Sequence, residues 1–334
     1  MTARSALTYL GFAALGAGLM YLAFRNVDGA QLLEDMQRAK PIGLAVSFVL
    51  GYLAVVSRGL RWALLLEPMG YRTRAAHRVH AVAFAYFANL FVPRSGELAR
   101  CGALHATDGI PVDRLVGTVL AERAVDMAFL LLFGALAVGL NLEAFSMLSG
   151  FMKFPDIHLA GALALLAVSG LAAAGVWWQR ARLLAWGPVR KVASILSGVG
   201  TGLRSILHME QRWAFLGHTV FIWAMYFFTA YIVLRSMDIP DLAWTDAMFI
   251  VVAGGFGMVL PAPGGIGAYQ WSVMLAFMAL DRDGALGFAA ANLMWLTQTA
   301  MFLVGGALAY GMLITYRMRT RRAQAATPKT TSER

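Results

Sequence analysis

The sequence predicts an all-α polytopic membrane protein: about six full transmembrane helices plus two re-entrant helical hairpins, arranged as an inverted-topology repeat. Three observations carry this prediction. First, 59% of the 334 residues are hydrophobic and only 14% are charged, whereas soluble domains are typically about 45–50% apolar and about 25% charged. Second, several uninterrupted apolar runs reach the roughly 20 residues needed to cross a bilayer core. Third, two further apolar regions, residues 79–104 and 247–280, are broken near their centres. The first break reads Val92-Pro93-Arg94-Ser95-Gly96-Glu97 and the second Leu260-Pro261-Ala262-Pro263-Gly264-Gly265-Ile266-Gly267. Such runs of proline and glycine stop a helix. Broken backbone at membrane depth is tolerated only where protein or a wet cavity satisfies the freed amides and carbonyls.

Residues 5–24 form the first apolar run. Its n-region carries only Arg4 and no small-x-small cleavage pattern follows, so an uncleaved helix is expected rather than a signal peptide. Full spans follow at residues 41–66, 115–140, 157–178, 213–237 and 286–316. The first arms of the broken regions, residues 79–92 and 247–260, reach roughly 21 Å at 1.5 Å per residue, short of a roughly 30 Å core. Each broken region therefore fits a hairpin with its tip inside the membrane. In residues 187–212, Val189, Val192, Leu196, Val199, Leu203 and Ile206 recur at helical spacing. The segment reads as an amphipathic helix on the cytoplasmic interface, or as one packed beneath the bundle. The basic tail, residues 317–334, is expected to be disordered.

The net charge of +10 points to cytoplasmic loops and anionic headgroups rather than to nucleic acid. Basic stretches at Arg58–Arg78, at Arg180–Arg212 and in the tail mark the cytoplasmic side, while Asp238, Asp241 and Asp246 mark the exterior. Both termini then lie in the cytoplasm, and every loop obeys the charge rule only if both broken regions are hairpins. The chain divides into halves of like order and opposite orientation, residues 5–140 and 157–316. The alternative is that the breaks are loops between short, tilted helices.

Cys101 is the one cysteine, which excludes an intramolecular disulfide and a Cys-based zinc site, and the six histidines lack metal-ligand spacing. No metal or cofactor is expected. After the first break, Glu97 and Arg100 stand at i,i+3 and can pair on one helical face. A helix starting near Ser95 would aim its first amides at the tip and, with Arg94 and Arg100, attract phosphate. In the span 115–140, Glu122 and Asp126 share a face and Arg123 lies beside them. Charges at that depth are expected to be paired with Arg94 or Arg100, or to bind a headgroup or carry a proton. Arg58, Arg61 and Trp62 read as anchors that snorkel to the headgroups at the end of the second span. The aromatic residues are expected to face lipid or core. No nucleophile–base–orienter set and no phosphate loop is visible, so no enzymatic activity is expected.

Four patterns occur in order: Arg58-x-x-Arg61-Trp62, Pro93-x-x-Gly96-Glu97-x-x-Arg100, Glu122-Arg123-x-x-Asp126 and Pro261-x-Pro263-Gly264-Gly265-x-Gly267. Together they resemble the lysylphosphatidylglycerol synthase transmembrane-region family, over residues 5–316. The resemblance implies helices and re-entrant segments around a lipid-accessible cavity, and free-standing members that are flippase-like. In fused members it implies movement of an aminoacylated phospholipid made by a separate cytoplasmic domain. This chain shows no such domain, and carries Gln270 where the family often has glutamate.

The resulting expectation is a lipid flippase or lipid-transport protein of a bacterial cytoplasmic membrane. Its substrate contacts are expected from Arg94, Glu97, Arg100, Glu122, Arg123, Asp126, Pro261, Pro263, Gly264, Gly265, Gly267 and Gln270. Its expected partners are membrane lipids with anionic headgroups, and a lipid-biosynthesis enzyme. The alternatives are a non-catalytic accessory subunit of a lipid- or glycolipid-modifying pathway, and an ion or small-solute carrier.

Overall fold

The computed structural model describes residues 21, 29–92, 94–151, 209–258 and 265–326. Among the described residues the chain is helical and has no strand. In order, the helices are α1 (Gly29–Gln37), α2 (Pro41–Leu66), α3 (Ala75–Phe91), α4 (Gly96–Asp108), α5 (Val112–Leu140), α6 (Leu142–Phe151), α7 (Arg212–Ser236), α8 (Trp244–Gly257), α9 (Ala268–Ala279) and α10 (Gly284–Ala326). Local sequence explains the boundaries. Pro41 opens α2 at its first turn, where the missing N–H costs nothing. Gly109 closes α4 in the left-handed conformation at φ 73°, a role glycine fills without a Cβ penalty.

Among the described residues, four helices are long and apolar enough to cross a membrane: α2 with the turn that follows it (Pro41–Met69), α5, α7, and α10 over Gly284–Tyr316. They carry four of the six expected spans. The expected spans at residues 5–24 and 157–178 lie outside the described residues, as does the connector helix at 187–212 except for the residues leading into α7. The tail differs from expectation, because α10 continues as helix to Ala326 instead of giving way to disorder at residue 317. Residues 327–334 lie outside the described part.

Each broken region supplies two short helices that fold back on one another. The arms of 17, 13, 14 and 12 residues reach roughly 26, 20, 21 and 18 Å, all less than a roughly 30 Å core. Both pairs close through glycine. The Gly96 amide donates to Asn89 Oδ1 at 2.7 Å, and a Cβ at Gly96 would strike the Ala85 carbonyl. In the second pair, a Cβ at Gly257 would lie 2.7 Å from both the Ala268 carbonyl and Ser272 Oγ. One step back along α8, Gly254 meets Tyr269 and Val273 of α9, so the two helices run antiparallel.

The central and most extensive contact joins α2 to α7. Around it α3 packs on α10 and α8 packs on α5, while α4 and α9 pack on α5 and α10 respectively. Two large apolar cores result among the described residues, with two smaller clusters beside them. One gathers Trp62, Leu66, Val82, Cys101, Leu104 and Leu115. The other gathers Leu234, Phe249, Ile250, Phe277, Ala289 and Ala290. The outer face of α5 leaves Leu120, Met127, Leu131, Leu132, Leu136 and Leu140 exposed. Beyond the half-exposed Arg123, this apolar surface suits hydrocarbon rather than water.

Candidate functional site

Residues spaced i,i+4 share one side of a helix, and on α5 this turns Glu122 and Asp126 inward near the middle of the span. Burying two carboxylates is costly unless each meets a cation. Here the cations arrive from α2 and α4. Arg100 Nη2 lies 2.6 Å from Glu122 Oε2, and Arg61 Nε lies 3.5 Å from Glu122 Oε1. Asp126 Oδ1 accepts from Arg61 Nη2 at 3.0 Å, and Asp126 Oδ2 lies 3.1 Å from Arg58 Nη2. Arg123 reaches the same Asp126 oxygen at 3.7 Å and Glu97 Oε1 at 2.9 Å. Arg100 Nε donates to Glu97 Oε2 at 2.7 Å.

Neutral groups hold this network in place. Arg61 Nη1 donates to Thr219 Oγ1 of α7 at 2.9 Å, and its guanidinium sits over the Phe215 ring at 5.1 Å. Arg100 lies 4.7 Å above the Trp62 ring, whose Nε1 donates to Thr118 Oγ1 at 2.8 Å. Arg58 Nη2 donates to the Tyr226 hydroxyl at 3.1 Å, and that hydroxyl meets the Tyr86 hydroxyl at 3.2 Å. Four helices, α2, α4, α5 and α7, are thereby tied to one point. Among the described residues the network joins four arginines, Arg58, Arg61, Arg100 and Arg123, to three carboxylates, Glu97, Glu122 and Asp126, leaving one positive charge in excess.

Beside the network opens a cavity of about 450 Å³. Its polar end is formed by Arg58, Arg123, Asp126, Tyr86 and Tyr226. Its apolar walls include Leu130, Phe133, Met258, Met294, Met301 and Phe302. Both hairpins contribute, through Tyr86 of α3 and Tyr269 of α9. A chamber charged at one end and oily along its sides matches an amphiphile better than a hydrophilic solute.

The sequence-predicted residues fall into three groups. Arg123 and Asp126 line the cavity. Glu97, Arg100 and Glu122 stand behind it and brace the network, with Arg100 paired to Glu97 at the expected i,i+3 spacing. Arg94 sits exposed at the start of the first hairpin's second arm, with φ 61°. In the second hairpin, Gly265 and Gly267 take positive φ of 74° and 83°. Gln270 is fully buried, and its Oε1 accepts the Gly267 amide at 2.8 Å. Pro261, Pro263 and Gly264 lie outside the described residues.

The expected headgroup anchors are placed differently. Arg58, Arg61 and Trp62 are 3%, 0% and 0% exposed, enclosed by protein instead of reaching out along its surface. The reason is the carboxylate pair on α5, which draws both guanidinium groups inward. Sequence reading also passed over Tyr86, Trp223 and Tyr226, polar-tipped aromatics that line the cavity. Their signal was available: buried tyrosine and tryptophan usually seek a polar partner for O–H and N–H.

Fold and site together define a polytopic α-helical membrane protein with a buried charge network beside an amphipathic chamber. The sequence matches the lysylphosphatidylglycerol synthase TM region family over residues 9–306, and the chain belongs to that family. The resemblance carried by the four sequence patterns is thus confirmed. The glycosyltransferase AglD of Haloferax volcanii is 26% identical over 314 residues, a match covering 84% of this chain and 50% of AglD. The chain therefore spans about half the length of that curated relative.

Proposed function

We propose that the protein moves a polar-headed lipid between the leaflets of a cytoplasmic membrane. The observation that carries this reading is the chamber itself, where Arg58, Arg123 and Asp126 meet apolar walls at bilayer depth. A headgroup would sit at the charged end while its chains follow the apolar side toward lipid. Glu97, Arg100, Glu122 and Arg61 hold the first hairpin against α2 and α5. Gly265, Gly267 and Gln270 shape the start of the second hairpin's inner arm.

The packing supports an inverted repeat with two re-entrant hairpins. Exchanging α2–α3–α4–α5 for α7–α8–α9–α10 maps α3-on-α10 onto α8-on-α5, and α4-on-α5 onto α9-on-α10. It leaves the α2–α7 contact in place. In the orientation given by the basic loops, both termini are cytoplasmic. On this reading the chain itself transfers no chemical group.

The test is reconstitution into liposomes holding a fluorescent short-chain phosphatidylglycerol, with a membrane-impermeant quencher added outside. Wild-type protein should expose the inner-leaflet label, and Asp126→Asn should fall to the protein-free rate while inserting normally. Wild-type vesicles no faster than protein-free ones would overturn the reading. The name of AglD favours a second reading, an accessory subunit in a glycolipid pathway. That reading predicts co-purification with a glycosyltransferase and no lipid movement by this chain alone.

A further inference from the structure

We infer that the chamber selects a headgroup with one net negative charge, a phosphodiester lipid without a compensating amine. This rests on the lipid-transport reading and narrows its cargo. The argument begins with charge balance. Among the described residues, the fully enclosed part of the network holds Arg58, Arg61 and Arg100 against Glu122 and Asp126. At its edge the half-exposed Arg123 pairs with Glu97. Counted either way, one positive charge is left over. Arginine does not lose its proton in proteins, so an excess of this kind is relieved by an anion.

The excess can be placed. Arg61 spans Glu122 and Asp126, and Arg100 spans Glu97 and Glu122. Arg58 has Asp126 alone, and shares it with Arg61 and Arg123. Its Nε and Nη1 are buried and have no hydrogen-bond partner among the described residues, although the side chain lines the chamber. Trp223 Nε1, another buried donor without a partner among the described residues, belongs to the same lining. A buried donor left unmade costs more than an average hydrogen bond gains, so this wall calls for acceptor oxygens.

Among the described residues the one carboxylate on this wall, Asp126, has an oxygen without a hydrogen bond but is already shared among arginines. Both Asp126 oxygens face arginines already. The amine of an aminoacyl or zwitterionic lipid would meet three guanidinium groups around that one carboxylate. An uncharged polycyclic lipid would leave Arg58 unneutralised. A diphosphate would bring more negative charge than the network lacks. The non-bridging oxygens of a phosphodiester supply one charge and the missing acceptors, and charge-assisted bonds of this type are roughly twice as strong as neutral ones.

The test uses the intact protein in neutral detergent, with lipid adducts followed by native mass spectrometry. The probes share the same acyl chains: phosphatidylglycerol, phosphatidylcholine, lysylphosphatidylglycerol and diacylglycerol. Glycerol phosphate is added as a chain-free competitor. Phosphatidylglycerol should bind at least about tenfold tighter than the other three lipids, the size expected for a charge-assisted contact. Arg58→Gln should bring all four lipids to similar affinity, and Trp223→Phe should weaken phosphatidylglycerol by less. Should Arg58→Gln fail to fold, the lipid series on the wild-type protein decides alone.

Equal binding of all four lipids to the wild type would overturn the charge rule and leave the lipid chamber standing. Retention of none would overturn both. Displacement of phosphatidylglycerol by equimolar glycerol phosphate would show a site for a free anion instead of a lipid.

Discussion

The two hairpins have arms of similar length and use the same closing device, a glycine at the helix crossing, yet they are seated in different ways. The first presents Glu97 and Arg100 from α4, and its seat adds ion pairs to α5 and the Arg100–Trp62 contact to α2 on top of an apolar core. The second presents no charged side chain from α9, and its Gln270 is turned back onto its own helix start. Its seat is the apolar core of Phe249, Ile250, Phe277 and the alanines of α10. Ion pairs fix an orientation but leave a deficit when one member is missing, whereas apolar packing tolerates loss in proportion to volume. The first hairpin's seat therefore adds directional charged contacts to its apolar core, whereas the second hairpin's seat rests on apolar packing.

The sharpest way to break this contrast is to neutralise one carboxylate in the first seat. Glu122→Gln leaves Arg61 and Arg100 without a shared anion, and should cost about 3–5 kcal/mol. Gln270→Ala in the second hairpin should cost about 1–3 kcal/mol, for the unmade Gly267 hydrogen bond. Thermal unfolding in detergent measures both, and equal losses would remove the distinction. A smaller effect probes the shared device. Gly257→Ala places its Cβ 2.7 Å from a backbone carbonyl, and should cost about 1–3 kcal/mol through overpacking. Gly102→Ala, on α4 with nothing within 4 Å, should gain up to about 1 kcal/mol.

A last variant tests the missing charge in the second hairpin. Gln270→Glu puts a carboxyl in a fully buried position, where an unpaired charge is costly. The variant should unfold below the wild-type temperature. A gain in stability would show that hairpin two holds a cation ready for a carboxylate.

Much of the fold was legible because membrane depth imposes strict local rules. Apolar length marked α2, α5, α7 and α10, and proline with glycine marked both breaks. The i,i+3 and i,i+4 spacings rightly joined Glu97 to Arg100 and put Glu122 and Asp126 on one face. What escaped was the partnership of α2 with α5, since Asp126 stands 65 positions from Arg61 and no local periodicity links them. Arg58 and Arg61 were read as a helix end, although the apolar Ala63–Leu66 run beyond them keeps both guanidinium groups inside the span. Tyr86 and Tyr226, 140 positions apart, escaped for the same reason.

Cys101, fully buried between α4 and its neighbours, is the one thiol in the chain. A maleimide in the aqueous phase finds no other sulfhydryl and reaches this one only when the first hairpin leaves its seat. Cysteines introduced at the hairpin tips can therefore be labelled against the native background, without first constructing a thiol-free variant. The slow residual labelling of Cys101 then becomes a clock for how often that hairpin lifts away.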